Sequence, residues 1–172
     1  MLLSTGRVWF LEHPWSRDMD IEDIAHALSH LCRFGGHCRE FYSVAQHCVL
    51  AYREAKRMNL SKRGRRAVLL HDASEAYLVD VPRPLKFLLP KYREMEAVLQ
   101  CLVASRFQTT YPHPPYVTSI DDRMLVTEQA ALMPPSPAYL PDVEPFGILI
   151  GSWGPEVAKA CFLEAYNECK ET

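Results

Sequence analysis

The sequence predicts an all-α fold for this chain. Apolar residues recur at the helical spacing of three and four positions over most of its 172 residues. Ser, Asp and Pro stand where helices would begin, and prolines cluster where they would end. Strand-like patterns are confined to two short segments, 5–11 and 146–150, which would form edge strands at most. We therefore expect a compact bundle of about six helices, in a single domain that spans residues 1–172.

The first three helices are predicted over the amino-terminal half of the chain. Asp20 is placed to cap a helix over 21–31, because its side chain can accept from the first free amides. A second amphipathic pattern covers 40–58. Ser61 is placed to cap a third helix, which continues until the prolines that begin at Pro82 stop it.

Three further helices complete the predicted bundle. Amphipathic patterns cover 91–107 and roughly 116–133. Residues 134–155 are rich in proline, which indicates an extended and turn-rich connection. Pro155 then begins the last helix, since proline is well tolerated at the first helical position.

The composition excludes several classes of protein. A net charge of −2 gives no electrostatic basis for binding a nucleic acid polymer or an anionic membrane. No run approaches the roughly 18 apolar residues of a membrane span, and no secretion signal is recognisable. The six cysteines form no C-x-x-C pair, which favours free thiols in a reducing compartment. These observations predict a cytoplasmic protein.

Metal-seeking side chains are concentrated in the third predicted helix. His71 and Asp72 are adjacent, and Glu75 follows them within the stretch AVLLHDASEAYLVDVPRP. Helical spacing would bring all three onto adjoining surface. Burying an imidazole with two carboxylates is costly unless a cation or hydrogen bonds compensate them. We therefore predict a metal site that includes His71 and Asp72.

Partners for this pair are expected on other helices, because two ligands cannot complete a coordination shell. His47 lies beside the apolar stripe of the second helix. Asp121 falls on the inward face of the helix at 116–133, whereas Asp122 falls outside it. A carboxylate on an apolar face needs a compensating partner, while one at a helix start can simply be solvated. His47 and Asp121 are thus the predicted additional ligands.

Two imidazoles and two carboxylates suit a divalent metal ion such as Zn, Co, Mn, Mg or Fe(II). Such an ion acidifies a water molecule and polarises a phosphoryl group. Glu75 is placed either to transfer a proton for that water or for the leaving oxygen, or to act as a further ligand.

These motifs together resemble the HD-domain superfamily of metal-dependent phosphohydrolases. CRFGGHCREFYSVAQHC followed by LLHDASEAYLVDVPRPLK is similar to the branch that holds the bacterial 5′-deoxynucleotidases and the phage dATP triphosphohydrolases. The resemblance covers roughly residues 20–133 and implies the HD-domain helical bundle. The metal ligands that it implies are His47, His71, Asp72 and Asp121.

The resemblance also implies roles around the metal. Glu75 would be the catalytic glutamate, and Asp80 would contact sugar or water near the scissile bond. Arg33 would bind the substrate and is able to hold phosphate bidentately. Phe34 replaces the tryptophan of the nucleotidases. The full set of substrate-binding candidates, chosen for contact with phosphate or base, is Arg33, Phe34, Arg83 and Lys86.

The predicted function is hydrolysis of a small-molecule nucleotide, a deoxynucleoside 5′-phosphate, at the α-phosphorus. Positive charge in KRGRR (62–66), Arg83 and Lys86 favours dATP or another triphosphate, which would yield the deoxynucleoside and triphosphate. One alternative is a 5′-nucleotidase restricted to deoxynucleoside monophosphates. Another is a non-catalytic regulatory module that a metal stabilises. The resemblance further implies a homo-oligomer.

Overall fold

The fold is all-α in the computed structural model, which describes residues 1–135 and 142–170. This confirms the predicted fold class. Within the described residues no strand is present, and extended pairing is limited to isolated bridges between Leu2 and Val8 and between Cys32 and Ser43. The edge strands considered at 5–11 and 146–150 therefore do not form. All six cysteines are free, as predicted.

Eight α-helices lie within the described ranges. They are α1 (Ile21–His30), α2 (Val44–Arg57), α3 (Lys62–Leu69), α4 (Glu75–Leu78), α5 (Arg83–Lys86), α6 (Pro90–Phe107), α7 (Pro115–Leu132) and α8 (Pro155–Cys169). The starts of α1, α6, α7 and α8 agree with the predicted starts to within one residue. The start of α2 differs, because Ser43 Oγ accepts from the Gln46 amide at 3.1 Å and caps the helix there.

The predicted third helix is wrong, because the chain forms two helices there with His71 in the turn between them. Helix α3 ends at Leu69, and tight turns occupy 70–74. The Nδ1 atom of His71 donates to the Val68 carbonyl at 2.7 Å, and the His71 carbonyl accepts from the side chain of Gln100. These bonds replace the regular helical pairing at this position.

Helix α5 was not predicted from the sequence either. Its segment lies between prolines, which indicate the end of a helix. Pro84 nevertheless fits, because it occupies the first turn, where a backbone amide has no helical partner to lose. This short helix carries Arg83, which contacts the predicted metal ligand Asp121, and Lys86, which contacts Glu75.

Helix α2 is the centre of the bundle. Eleven of its fourteen residues are buried, and it packs against α1, α3, α7 and α8. One apolar cluster lies on its α1 and α8 side, around Leu28, Val49 and Phe162. A second cluster lies towards α3 and α7, around Ile120 and Met124. Polar groups of α2 that face inwards are therefore held in fixed positions.

No helix within the described ranges combines the length and the apolar content that crossing a bilayer requires.

Asp23 fastens the amino-terminal residues to α1. Only 3% of this residue is exposed. Its carboxylate accepts from Ser4 Oγ at 2.6 Å and from the amide and hydroxyl of Thr5, each at 2.8 Å. Burial raises the pKa of Asp23, but these hydrogen bonds outweigh burial and lower it overall.

Replacement of Asp23 by asparagine is expected to lower the free energy of unfolding by about 1–3 kcal/mol at neutral pH, since buried donors lose a charged acceptor. Because the folded pKa of Asp23 is lowered, its contribution is present at neutral pH and is lost as the pH falls through that value. Urea titrations at several pH values measure this. Glu22→Gln, a change of an exposed acid in the same turn, is the control. Equal losses for both variants would contradict the prediction.

Candidate metal centre

Four potential ligand atoms converge where α2, α7 and the turn before α4 meet. His47 Nε2 lies 3.1 Å from His71 Nε2 and 3.3 Å from Asp121 Oδ1. Asp72 Oδ2 lies 3.3 Å from His71 Nε2 and 3.6 Å from His47 Nε2. Nitrogen and oxygen atoms bound to one zinc-sized ion at their usual distances stand about 3.0–3.6 Å apart. His47, His71 and Asp121 therefore lie close enough to hold one divalent ion, and Asp72 adjoins them in a second such group with His71 and Cys48.

Hydrogen bonds fix both imidazole rings with their Nε2 atoms directed at one point. His71 Nδ1 faces the Val68 carbonyl at 2.7 Å, and His47 Nδ1 faces Glu128 Oε1 at 2.5 Å. Both partners are acceptors, so each Nδ1 carries the proton. Metal-binding histidines are oriented by this kind of outer hydrogen bond. Two imidazole Nε2 atoms and two carboxylates thus face each other, an arrangement that a cation, either a proton or a metal ion, stabilises.

The electrostatics of the cluster also favour positive charge at its centre. Burial lowers the pKa of His71, but Asp72 and Asp121 raise it more, to about 9. Burial raises the pKa of Asp121, but hydrogen bonds from His47 and His71 hold it well below its usual range. The carboxylates therefore stay ionised and hold a cation, which can be a proton or a metal ion.

Asp121, and not Asp122, faces the two histidines. The second oxygen of Asp121 accepts from Arg83 Nη2 at 2.7 Å. Asp122 accepts from Arg83 Nη1 at 2.8 Å. Arg83 thus holds both neighbouring acids of α7, while the helix directs only Asp121 to the cluster. This is the helix phase that the sequence predicts.

A cavity of about 770 Å³ opens beside the cluster. Its volume lies in the range of small-molecule sites. Asp72 and Asp121 form part of its wall. The wall also contains every residue predicted to act in catalysis or substrate binding, namely Arg33, Phe34, Glu75, Asp80, Arg83 and Lys86.

Glu75 presents a partly unsatisfied carboxylate to this cavity. It is the first residue of α4 and is only 3% exposed. Its Oε1 accepts from Lys86 Nζ at 3.2 Å, whereas its buried Oε2 has no hydrogen-bond partner among the described residues. Burial, followed by the charges of Asp72 and Asp80, raises the pKa of Glu75 well above its usual range. Such a group is suited to hold and release a proton.

Asp80 reaches the cavity from a strained turn. The preceding Val79 has a φ of +65°, which is rare for a β-branched residue. Its carbonyl accepts from the Tyr92 hydroxyl at 2.8 Å, and its amide donates to the Glu75 carbonyl at 2.8 Å. Burial is the main cause that raises the pKa of Asp80. Backbone strain of this kind is typical of functional sites.

The three cations of the cavity wall are paired with carboxylates. Arg33 Nε lies 3.1 Å from Glu128 Oε2, and its Nη1 lies 3.3 Å from Asp72 Oδ2. Lys86 Nζ lies 2.6 Å from Glu96 Oε1, in addition to its contact with the carboxylate of Glu75. Arg83 holds the two aspartates of α7. The cavity therefore combines acidic and basic groups at close range.

The basic segment 62–66 lies away from this cavity, since none of its residues is part of the wall. Arg63 donates to the Thr110 hydroxyl at 3.2 Å. Arg66 donates to the carbonyl groups of Gln108 and Cys169. The charge that sequence reasoning assigned to phosphate binding in this segment is thus directed elsewhere.

Glu128 is the residue of the site that sequence reasoning missed. It is fully buried on α7 and contacts His47, Arg33 and Tyr42. Burial raises its pKa, but Arg33 and His47 lower it below its usual value, so the carboxylate is ionised. Its position on the inward face of the predicted helix indicates a buried carboxylate, and a buried carboxylate needs a partner.

Metal binding is expected to raise the thermal stability of the protein. An ion at about one hundred times its dissociation constant adds about 2.7 kcal/mol to the free energy of unfolding. Differential scanning fluorimetry of chelator-treated protein with added Zn, Co or Mn measures this. Calcium, which prefers an all-oxygen shell, is the control ion. A melting temperature unaffected by any transition metal would contradict the assignment of the site.

Two curated proteins are similar to this chain. The first is the uncharacterized protein YfdR of Escherichia coli (strain K12), which is 33% identical over 177 residues, or 97% of this chain and 93% of YfdR. The second is the uncharacterized protein RCAP_rcc00048 of Rhodobacter capsulatus, which is 39% identical over 108 residues, or 60% of this chain and 55% of that protein. A search against models of known protein families finds no match.

Proposed function

The chain belongs to the family of the uncharacterized Escherichia coli protein YfdR, and we propose that it is a metal-dependent phosphohydrolase that cleaves deoxynucleoside 5′-phosphates at the α-phosphorus. The main support is the position of the metal-seeking cluster at the wall of a large cavity. A purely structural metal site is closed by protein ligands. Here Asp72 and Asp121 belong both to the cluster and to the cavity wall, so a ligand can reach an ion held there.

The contacts of the side chains support the following roles. A divalent ion held by His47, His71, Asp72 and Asp121 supplies Lewis acidity, which acidifies water and polarises a phosphoryl oxygen. Glu75 takes up the proton of the attacking water, or returns it to the leaving oxygen, through its unpartnered Oε2. Arg33 binds phosphate, because its guanidinium lines the cavity beside Asp72.

Two other residues of the cavity wall are assigned to the nucleoside part of the substrate. Asp80 has a carboxylate that can accept from a sugar hydroxyl. Phe34 lies next to Arg33, whose guanidinium carbon is 5.8 Å from the centre of the Phe34 ring. Its ring offers an apolar surface for the sugar or the base. The substrate is therefore expected to span the cavity from the cluster to Phe34.

The charge of the cavity favours monophosphates over triphosphates. Four carboxylates (Asp72, Glu75, Asp80 and Asp121) face three cations (Arg33, Arg83 and Lys86) in its wall. A divalent ion leaves a small positive excess, about +1 with Glu75 ionised and about +2 with Glu75 protonated, which suits a phosphate monoester of about −2 charge. The longer triphosphate would need further cations, and the basic segment 62–66 is not in the wall. This removes one reason for expecting dATP, although attack at the α-phosphorus is chemically the same for both substrates.

A panel of nucleotides tests this proposal. The metal-loaded protein is incubated with deoxynucleoside and ribonucleoside mono-, di- and triphosphates, and the inorganic product is identified. Monophosphate turnover releases orthophosphate, whereas triphosphate turnover at the α-phosphorus releases tripolyphosphate. If no nucleotide is cleaved by protein with metal bound, the catalytic proposal fails. The alternative of a regulatory module stabilised by metal would then account for the cluster.

A further inference from the structure

Glu128 uses both of its carboxylate oxygens inside the protein. Its Oε1 accepts from His47 Nδ1 at 2.5 Å and from the Tyr42 hydroxyl at 2.8 Å. Its Oε2 accepts from Arg33 Nε at 3.1 Å. The residue is completely buried, and no part of it lines the cavity. It therefore acts on the cavity only through the side chains that it holds.

Arg33 is the second link in this arrangement. Its Nε contacts Glu128, and its Nη1 lies 3.3 Å from Asp72 Oδ2. These two contacts leave Nη2 of the guanidinium for a ligand in the cavity. Since Glu128 also bonds to His47, a single carboxylate joins a predicted metal ligand to the predicted phosphate-binding arginine. The two sites thus lie on one chain of hydrogen bonds, from His47 through Glu128 to Arg33.

We propose that Glu128 is a positioning residue that couples metal binding at His47 to phosphate binding at Arg33. The proposal rests on the proposed function in so far as it assigns the cavity to phosphate. A carboxylate bonded to Nδ1 keeps the Nε2 lone pair of His47 on the metal side and makes the ring a stronger ligand. The same carboxylate holds the planar guanidinium of Arg33 in one orientation.

The sign of the coupling follows from the charges. A metal ion neutralises Asp72, which weakens the hold of Asp72 on Arg33 and makes the guanidinium more available to phosphate. A phosphate bound to Arg33 weakens the ion pair between Arg33 and Glu128. The Glu128 carboxylate then accepts a stronger hydrogen bond from the His47 ring, which makes His47 a stronger metal ligand. Each ligand therefore tightens the binding of the other. Thermodynamic linkage requires the metal to tighten phosphate binding by the same factor by which phosphate tightens metal binding. Such couplings between sites are typically about 5- to 150-fold.

The test uses Co(II) and inorganic phosphate as probes, so it does not depend on turnover. The affinity for Co(II) is measured by its visible absorption with and without phosphate, in the wild type and in Glu128→Gln. We expect the variant to bind Co(II) about 10- to 100-fold more weakly, with an altered absorption spectrum. Phosphate should tighten Co(II) binding in the wild type and have much less effect in the variant.

Two further variants separate positioning from a general structural effect. Glu54→Gln changes another buried glutamate, 6% exposed and bonded to Arg57 at 2.7 Å, and should leave spectrum and coupling unchanged. Tyr42→Phe removes one donor to Glu128 but keeps the carboxylate, so it should retain the coupling. Wild-type coupling in folded Glu128→Gln would overturn the proposal.

Arg33→Met keeps the test decisive if Glu128→Gln does not fold. This variant leaves the bond between Glu128 and His47 intact but removes the arginine that transmits the effect of phosphate. Phosphate should then lose most of its influence on Co(II) affinity, and full coupling in this variant would overturn the proposal. Failure of nucleotide cleavage, with the coupling intact, would reject the proposed function and leave the role of Glu128 standing.

Discussion

Replacement of Glu75 by glutamine is expected to lower turnover by about 100- to 10,000-fold, the usual contribution of a general acid or base. Glutamine has nearly the same shape but cannot take up or release the proton. Its effect on the fold should be small, since Lys86 keeps a carboxylate partner in Glu96 at 2.6 Å. Steady-state kinetics with the nucleotide that the panel identifies, together with metal analysis, measure the result.

The control for Glu75 is Glu96→Gln. Both acids contact the Lys86 ammonium, but Glu96 is not part of the cavity wall. Glu96→Gln should therefore retain most of the activity. Loss of bound metal in Glu75→Gln would show that Glu75 is a ligand, which is the alternative role that the sequence left open. Unchanged turnover in Glu75→Gln would remove it from the mechanism.

Replacement of Asp121 by asparagine is expected to abolish tight metal binding. The change removes a charged oxygen that lies 3.3 Å from His47 Nε2 and 3.6 Å from His71 Nε2. The loss of affinity should exceed the roughly 10- to 100-fold that results from losing an outer hydrogen-bond partner. Calorimetric titration with Zn or Co measures the affinity, and elemental analysis measures the metal content of the purified protein.

Asp122→Asn is the matched control. Asp121 and Asp122 are neighbours on α7, and both accept a hydrogen bond from Arg83. The Asp122 carboxylate is outside the cluster, so metal affinity should stay within a few-fold of the wild type. If Asp122→Asn lost its metal while Asp121→Asn kept it, α7 would have to be rotated relative to the described structure.

The sequence predicted most helix ends because capping signals are local. Asp20 and Pro155 mark the starts of α1 and α8, and the structure begins these helices there. The break at His71 was not predictable from local pattern. It depends on a hydrogen bond from Gln100, which lies 29 positions further along the chain. Contacts at such distances decide where a helix with good periodicity is interrupted.

The predicted ligands came from residue type and helix phase, and the structure brings the four side chains together. The phase argument worked for Asp121 because α7 is regular over its whole length. Glu128 lies on the same inward face, but its partners Arg33 and His47 are remote in the sequence. Its link to Arg33 joins positions 95 residues apart. Such a pairing follows from how the helices pack, which a single sequence does not state.

The left-handed backbone of Val79 lowers the stability of the fold but places Asp80 in the cavity. A β-branched residue in this conformation costs roughly 1–2 kcal/mol relative to a relaxed one. Glycine would remove that cost, but it would also let the chain leave the conformation that carries Asp80 into the cavity. Selection for heat resistance alone would therefore favour glycine at this position and loosen the placement of Asp80.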